Sequence, residues 1–136
     1  MDWLKRLFTR RPAPLTGAPA VRRQKTYSAE SGYVYQYYYL GHRPASAAGA
    51  PAAEFVFEVT ADRRSWFPVS VMLGQNDVAA WQRAHARSLD ATEQYAIAKM
   101  ALFGAFDDRE TPEAMQAAVR VGADRIEAIL AALKID

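Results

Sequence analysis

The chain of 136 residues contains no cysteine and only two histidines, His42 and His85. The absence of cysteine excludes a disulfide framework, a zinc–thiolate site and a thiol nucleophile. A metal site would need three or four ligands, and the two histidines have no His-x-x-x-His or equivalent spacing. The sequence therefore predicts neither a bound metal nor a cofactor.

Long apolar runs and the common catalytic motifs are also missing. The longest nearly apolar run, residues 95–106, contains Lys99 and is far shorter than the roughly 20 residues that a membrane span needs. Only Leu7 and Phe8 precede Arg10 and Arg11, so no apolar core of a signal peptide is visible. No glycine-rich phosphate loop and no Gly-x-Ser-x-Gly elbow occurs. These absences predict a cytoplasmic protein and argue against an enzyme with a small-molecule substrate.

Positive charge is concentrated in the first 25 residues. Seven basic side chains occur there against Asp2 alone, a net charge of +6, while the rest of the chain has ten basic and fourteen acidic side chains, a net charge of −4. A basic arm on a mildly acidic body is typical of a protein whose arm binds an anionic partner. Acidic lipid, nucleic acid and an acidic protein surface are the candidate partners.

Residues 1–11, "MDWLKRLFTRR", have the pattern of a short basic amphipathic helix, which we call the tip. Its apolar residues share one face at helical spacing, and Asp2 is placed to cap its start. So short a helix is marginal in water and is expected to form against a partner. The tip is predicted to bind a membrane surface or a protein groove through Trp3, Leu4, Lys5, Arg6, Leu7, Phe8, Arg10 and Arg11.

The tip is joined to a single predicted domain by a Pro- and Ala-rich segment. Residues 12–26, which include Pro12, Pro14 and Pro19, are predicted to be an extended, semi-rigid tether. Residues 27–136 change in character and carry the alternation and the helical periodicity of a folded α+β domain.

Within this domain, three strands are predicted at 33–40, 54–61 and 65–73, and residues 42–53 are predicted to be a loop. Pro68 donates no ladder hydrogen bond, which favours an edge or a bulge at that point. Three helices are predicted at 76–89, 90–106 and 111–134, the second with a capping box formed by Asp90 and Glu93. The expected fold is a three-stranded antiparallel meander followed by three helices packed on one face.

The first strand, "YVYQYYYL", raises the question of which face is buried, because tyrosines occupy 33, 35, 37 and 39 while Tyr38 breaks the alternation. The pattern does not choose between the two faces. Exposed rings could stack on nucleic-acid bases, but no basic residues are interleaved with them. If the helices cover one face of the sheet, the other face is predicted to carry an apolar patch for a protein partner, formed by Tyr38, Val56, Trp66 and Met72.

Together these features favour a non-enzymatic adaptor or accessory subunit, whose tip docks to a membrane surface or to a larger protein assembly. The location that fits is the cytoplasm, with peripheral attachment to the inner face of a membrane. Two alternatives stay open. One is a nucleic-acid-binding domain with a basic arm, which leaves the apolar face of the tip without a role. The other is a small enzyme that uses His85 or His42.

Overall fold

The computed structural model describes residues 12–136. The first half is made of strands: β1 (Lys25–Ser28), β2 (Val34–Ala47), β3 (Ala50–Thr60) and β4 (Phe67–Gly74). The second half contains helix α1 (Gln75–His85), helix α2 (Ala91–Asp108), a 3-10 turn (Glu113–Gln116), strand β5 (Val119–Val121) and helix α3 (Ala123–Ala132). The α+β class expected from the sequence is confirmed.

The strands form one mixed sheet of five strands in the order β1-β2-β3-β4-β5. The first four pair antiparallel with their sequence neighbours, and β5 pairs parallel with β4 through Val71–Leu73. The prediction of a three-stranded meander is therefore wrong, because a strand was missed at each edge. Among the described strands, the Pro68 end of β4 pairs only with β3, which is where a residue without an N–H is tolerated.

The two missed strands are short, and their patterns were ambiguous. Strand β1 has four residues, and its first two lie within the range predicted as the tether. Strand β5 lies inside the predicted helix 111–134, where Val119 is also at helical spacing from Met115. The β-branched Val119 and Val121 are buried on either side of the exposed Arg120, and Gly122 is the N-cap of α3 rather than a helix-interior residue.

The predicted loop 42–53 is instead a continuation of the β2–β3 hairpin, which turns at Ala48 (φ 52) and Gly49 (φ 78). Two consecutive residues of positive φ form the turn that suits the twist of a hairpin. Pro44 does not interrupt the pairing with β3. The backbone N–H and C=O of His42 point away from β3, since both are bonded to Thr16. Backbone groups two residues apart on a strand point the same way, so the nitrogen of Pro44 also points away from β3.

The core lies between the helices and one face of the sheet. That inner face carries Tyr35, Tyr37, Phe57 and Val69, each at most 3% exposed, so the odd-numbered tyrosines of β2 point inward. Tyr35 stacks on Phe106 of α2 with ring centroids 4.2 Å apart. The helices contribute these buried residues to the same cluster: Val78, Trp81, Ile97, Ala98, Ala101, Leu102, Ala105, Ile126, Ile129 and Leu130.

Helix α2 runs through the middle of this core, and its predicted start is confirmed. The Asp90 side chain accepts a hydrogen bond from the backbone N–H of Glu93 at 2.7 Å, and the Glu93 side chain accepts one from the backbone of Asp90 at 3.1 Å. This capping box fixes where the helix begins and therefore where its first residues, Ala91 and Thr92, lie.

Candidate functional site

The predicted apolar patch lies on the outer face of the sheet, which the core cluster does not include. Tyr38 on β2 and Trp66, the residue before β4, come together with ring centroids 5.2 Å apart, although β3 separates β2 from β4. The Tyr38 hydroxyl also donates to Oε1 of Gln24 at 2.8 Å. Tyr38, Trp66 and Met72 are half-buried, whereas Val56 is 5% exposed and contributes little surface.

A polar network separates Met72 from the aromatic end of this face. Nε of Arg43 donates to Oε1 of Glu54 at 2.7 Å, and the Ser70 hydroxyl donates to Oε2 of the same carboxylate at 2.6 Å. The Arg43 hydrogen bond, assisted by Ser70, lowers the pKa of Glu54 against the opposing effect of burial. In register, Glu54 lies opposite Met72 and Val56 lies opposite Ser70, so the patch is an aromatic pair beside an ion pair rather than a continuous apolar surface.

On the inner face, a β-bulge brings His42 to the end of the sheet. The register between β2 and β3 shifts between Tyr39 and Gly41, so that His42 pairs with Phe55. A residue inserted by a bulge changes which face the following side chains occupy. His42 thus lies on the same face as Tyr39, whose hydroxyl is 3.1 Å from Nδ1 of the imidazole, and its ring is 5.5 Å from that of Phe55.

The segment Leu15–Pro19, which we call the strap, crosses the edge of β2 at this point. Thr16 exchanges two backbone hydrogen bonds with His42, of 2.9 and 2.8 Å. The crossing is close: a β-carbon on Gly41, whose φ is +121, would lie 2.6 Å from the carbonyl oxygen of Thr16. Glycine at position 41 is therefore what allows the strap to pass over the strand.

Beneath the strap is an aromatic cavity of about 400 Å³, with no Asp, Glu, Lys or Arg in its walls. It is lined by Gly17, Pro19, Tyr39, His42, Phe55, Ala91, Thr92 and Tyr95. A second cavity of about 480 Å³ shares His42, Phe55 and Ala91 with it and continues toward Gln75 and Gln94. Together they form a groove between the inner face of the sheet and the start of α2.

The two tyrosine hydroxyls of the aromatic cavity stay protonated at neutral pH. Burial, reinforced by the neighbouring Tyr95, raises the pKa of Tyr39 to about 12, and burial also raises the pKa of Tyr95. Their rings lie 4.6 Å apart. The cavity therefore offers aromatic faces, neutral hydroxyls and one imidazole, a set suited to binding an uncharged, ring-containing group.

His85, the other histidine considered from the sequence, lies at the contact between α1 and α3. Its ring stacks on Trp81 at 4.2 Å, and its Nε2 is 3.2 Å from a carboxylate oxygen of Glu127. The nearby cavity is lined by Ala79, Gln82, Arg83, Ala86, Arg87 and Ser88 but not by His85. A histidine that links two helices in this way has a sufficient structural role.

The predicted docking residues of the tip, Trp3 to Arg11, lie outside the described residues, so their role stays a prediction. The aromatic groove was not predicted. The bulge and the strap that create it depend on pairing between residues 26 positions apart, and the only local signal was the Gly41–His42 dipeptide at a presumed strand end.

Residues 12–136 contain no group of three His, Asp or Glu side chains placed to hold a metal ion, and no helix among them is long and apolar enough to cross a membrane. Comparisons of the chain with models of protein families, with curated proteins and with solved structures found no match.

Proposed function

We propose that this chain is a non-enzymatic adaptor or accessory subunit that docks through its basic, amphipathic tip to a membrane surface or to a larger protein assembly. The observation that carries the proposal is the division of the sequence: a net charge of +6 in residues 1–25, with Trp3, Leu7 and Phe8 among the basic residues, and −4 in the remainder. Rings that insert and charges that attract act together at an anionic lipid surface.

The fold supports this proposal by fixing the point from which the tip departs. Thr16 is bonded to His42, and Pro12 lines a cavity with Arg43, Pro44 and Glu54 at the edge of the sheet. Pro12, the first described residue, therefore lies at a defined place on the domain. A short connection of this kind holds a docked domain close to the surface that the tip binds.

The environments of the two histidines also favour binding over catalysis. His85 is engaged by Trp81 and Glu127, and His42 faces neutral groups in the aromatic cavity. General acid–base catalysis needs groups whose pKa values are set near the working pH and which reach a substrate. The tyrosines beside His42 have raised pKa values and do not supply such a partner.

The second surface that an adaptor needs is the outer face of the sheet. We assign protein contact to its aromatic end, where Tyr38 and Trp66 meet, because Tyr and Trp are enriched in protein interfaces. Val34 lies on the same face of β2 and is 47% exposed, with Gln36 between it and Tyr38. In this arrangement the tip fixes the position of the domain and the sheet face binds its partner.

The test uses the full chain and two sets of substitutions in the tip. Trp3→Ala with Phe8→Ala removes apolar insertion, worth roughly 1.5–3 kcal/mol for each fully buried large side chain. Substitution of Lys5, Arg6, Arg10 and Arg11 by Ala removes attraction of about 1 kcal/mol for each charge near an anionic membrane. We expect both sets to weaken binding to anionic vesicles in sedimentation assays, and salt to weaken the binding of the original chain.

The alternatives give different results in the same assay. Binding to DNA that falls with salt and with the loss of charges, but not with the loss of the rings, would indicate a nucleic-acid-binding arm. If the ring variant binds vesicles as well as the original chain, apolar insertion is not taking place. Binding to neither vesicles nor DNA would leave the protein assembly as the docking partner, to be sought by affinity purification with the intact tip.

A further inference from the structure

The strap lies over the groove, with its residues 16–19 exposed on the outer side. Gly17 and Pro19 form one wall of the aromatic cavity, and the rings of Tyr39, Phe55 and Tyr95 form the opposite side. We propose that this groove is a recognition site for an extended, proline-containing peptide, and that the strap is an occupant supplied by the chain itself. The proposal concerns a different surface from the tip and does not rest on the docking role.

The walls of the groove provide what recognition of such a peptide requires. Proline-rich segments bind to surfaces of aromatic side chains, on which the pyrrolidine rings pack, and they lose little conformational entropy because their backbone is already extended. Tyr39 and Tyr95 offer protonated hydroxyls that can donate to peptide carbonyls. No Asp, Glu, Lys or Arg lines the aromatic cavity, so it offers no permanently charged partner to a charged ligand in that part of the groove.

The groove is also longer than the part that the strap covers. The adjoining cavity of about 480 Å³ shares His42, Phe55 and Ala91, and its far end is lined by Gln75 and Gln94. Side-chain amides can both donate to and accept from a peptide backbone. A peptide longer than the strap would therefore find further polar partners along the same line.

The strap is held by few interactions, so that another peptide can replace it. Its bridge to β2 consists of the Thr16–His42 pair, and in the same register Pro14 would face Pro44, where neither residue has an N–H to extend the ladder. None of residues 15–19 belongs to the core cluster. The strap can therefore leave the groove without opening the core. Because it belongs to the same chain, it competes with an added peptide at an effective concentration in the millimolar range.

The test measures binding of a dye-labelled synthetic peptide, residues 12–24 of this chain, to the full-length protein by fluorescence anisotropy. Two variants displace the strap by different routes. Gly17→Val adds a β-branched side chain where a β-carbon alone would lie 2.6 Å from the His42 ring, and Thr16→Pro removes the N–H that bonds to the His42 carbonyl. We expect each variant to bind the peptide at least tenfold more tightly than the wild-type chain.

Two controls locate the binding. Ala91 is exposed and lines both cavities, so Ala91→Trp in the Gly17→Val background should fill the groove and reduce peptide affinity at least tenfold. Ala80 is an exposed alanine on α1 that lines neither cavity, so Ala80→Trp should leave binding unchanged. A peptide that itself carries Gly17→Val should bind weakly to every variant, because it meets the same contact with His42.

Three results would overturn the proposal. One is no binding of the peptide to either displaced-strap variant at millimolar concentration, with melting temperatures showing that both variants are folded. Another is binding that Ala91→Trp does not reduce, which would place the peptide elsewhere. The third is a concentration-dependent dimer of the wild-type chain that exchanges its strap, since a second copy would then be the occupant instead of a separate peptide.

Discussion

Gly17 packs directly against the imidazole of His42: a β-carbon added to Gly17 would lie 2.6 Å from Cε1 and 2.8 Å from Nδ1. The backbone of Gly17 also has a φ of +81, which side-chain-bearing residues rarely adopt. This contact closes the aromatic cavity from the strap side. It joins the strap, which lies within the predicted tether, to His42, the histidine that lines the aromatic cavity.

The contact predicts that Gly17→Ala loosens the strap. We expect the backbone amide of His42, which donates to the Thr16 carbonyl, to exchange with solvent roughly two- to tenfold faster, as the loss of one hydrogen bond of about 0.5–1.5 kcal/mol implies. Hydrogen exchange followed by NMR provides the measurement. Gly49→Ala is the matched control, because Gly49 also has a positive φ (+78) but no atom within 4 Å of an added β-carbon. Equal effects of the two changes at His42 would contradict the prediction.

Phe57 is expected to be a major contributor to stability. It is fully buried in the core cluster and contacts the rings of Tyr37 and Tyr39. Phe57→Ala should lower the free energy of unfolding by roughly 3–5 kcal/mol, through lost burial and the cavity left behind. Urea denaturation measures the change, with Val34→Ala, at a residue 47% exposed, as a control expected within about 0.5 kcal/mol of the original. A loss below about 1 kcal/mol for Phe57→Ala would argue against this inner face.

Glu54 should make stability depend on acidity. Its pKa is lowered in the folded state by Arg43 and Ser70, so the ionised carboxylate stabilises the fold above the unfolded pKa, and this contribution is lost as the pH falls through the folded pKa. The original protein should therefore lose more stability than Glu54→Gln between about pH 5 and pH 3. Parallel pH profiles of the two proteins would contradict the assignment of the ion pair to the folded state.

The aromatic pair on the outer face should be a coupled unit. A double-mutant cycle with Tyr38→Ala and Trp66→Ala is expected to give a coupling energy of about 0.5–1.5 kcal/mol, as for other aromatic pairs. Tyr38→Phe keeps the ring contact while it removes the hydrogen bond to Gln24, and should retain the coupling. Additive single changes in the cycle would show that the rings touch without stabilising each other.

The parts of the fold that follow from local pattern were predictable from the sequence. Strand β4 alternates cleanly because one face is buried, whereas β3 also buries Val56 and Thr60 on its other face. Phe57, Val69, Trp81 and Ile129 lie in the core, as the strand alternation and the helical periodicity indicate. Phe103 of α2 is half-buried and packs against the cluster. The capping box of α2 is encoded within four residues and was equally visible.

The features that depend on distant pairing were not predictable in the same way. Pro44 indicates a loop when taken alone, and only the outward orientation of its nitrogen lets it lie in a strand. Strand β5 depends on a parallel partner nearly fifty residues earlier in the chain, Val71 for Val119. The groove around His42 needs a bulge, a strap and a helix start at one place. The hydrophobic periodicity of a single segment does not predict that these three elements come together.

Two truncations should separate the roles of the tip and of the strap. Removal of residues 1–11 is expected to leave the free energy of unfolding unchanged, since the proposed partner of the tip is outside the chain. Removal of residues 1–24 also deletes the two Thr16–His42 hydrogen bonds and the Tyr38–Gln24 bond, and should cost roughly 1–2 kcal/mol after the entropy of the released strap is offset.

Thr16→Pro in the full chain is the matched control for the longer truncation, because it removes one of those bonds and keeps every other residue. It should reproduce part of the loss. If removal of residues 1–11 alone destabilises the protein as much as removal of residues 1–24, then Trp3, Leu7 and Phe8 pack on the domain itself. Docking of the tip to an external partner would then lose its main support, whereas the proline-recognition groove, which depends on residues 15–19, would be unaffected.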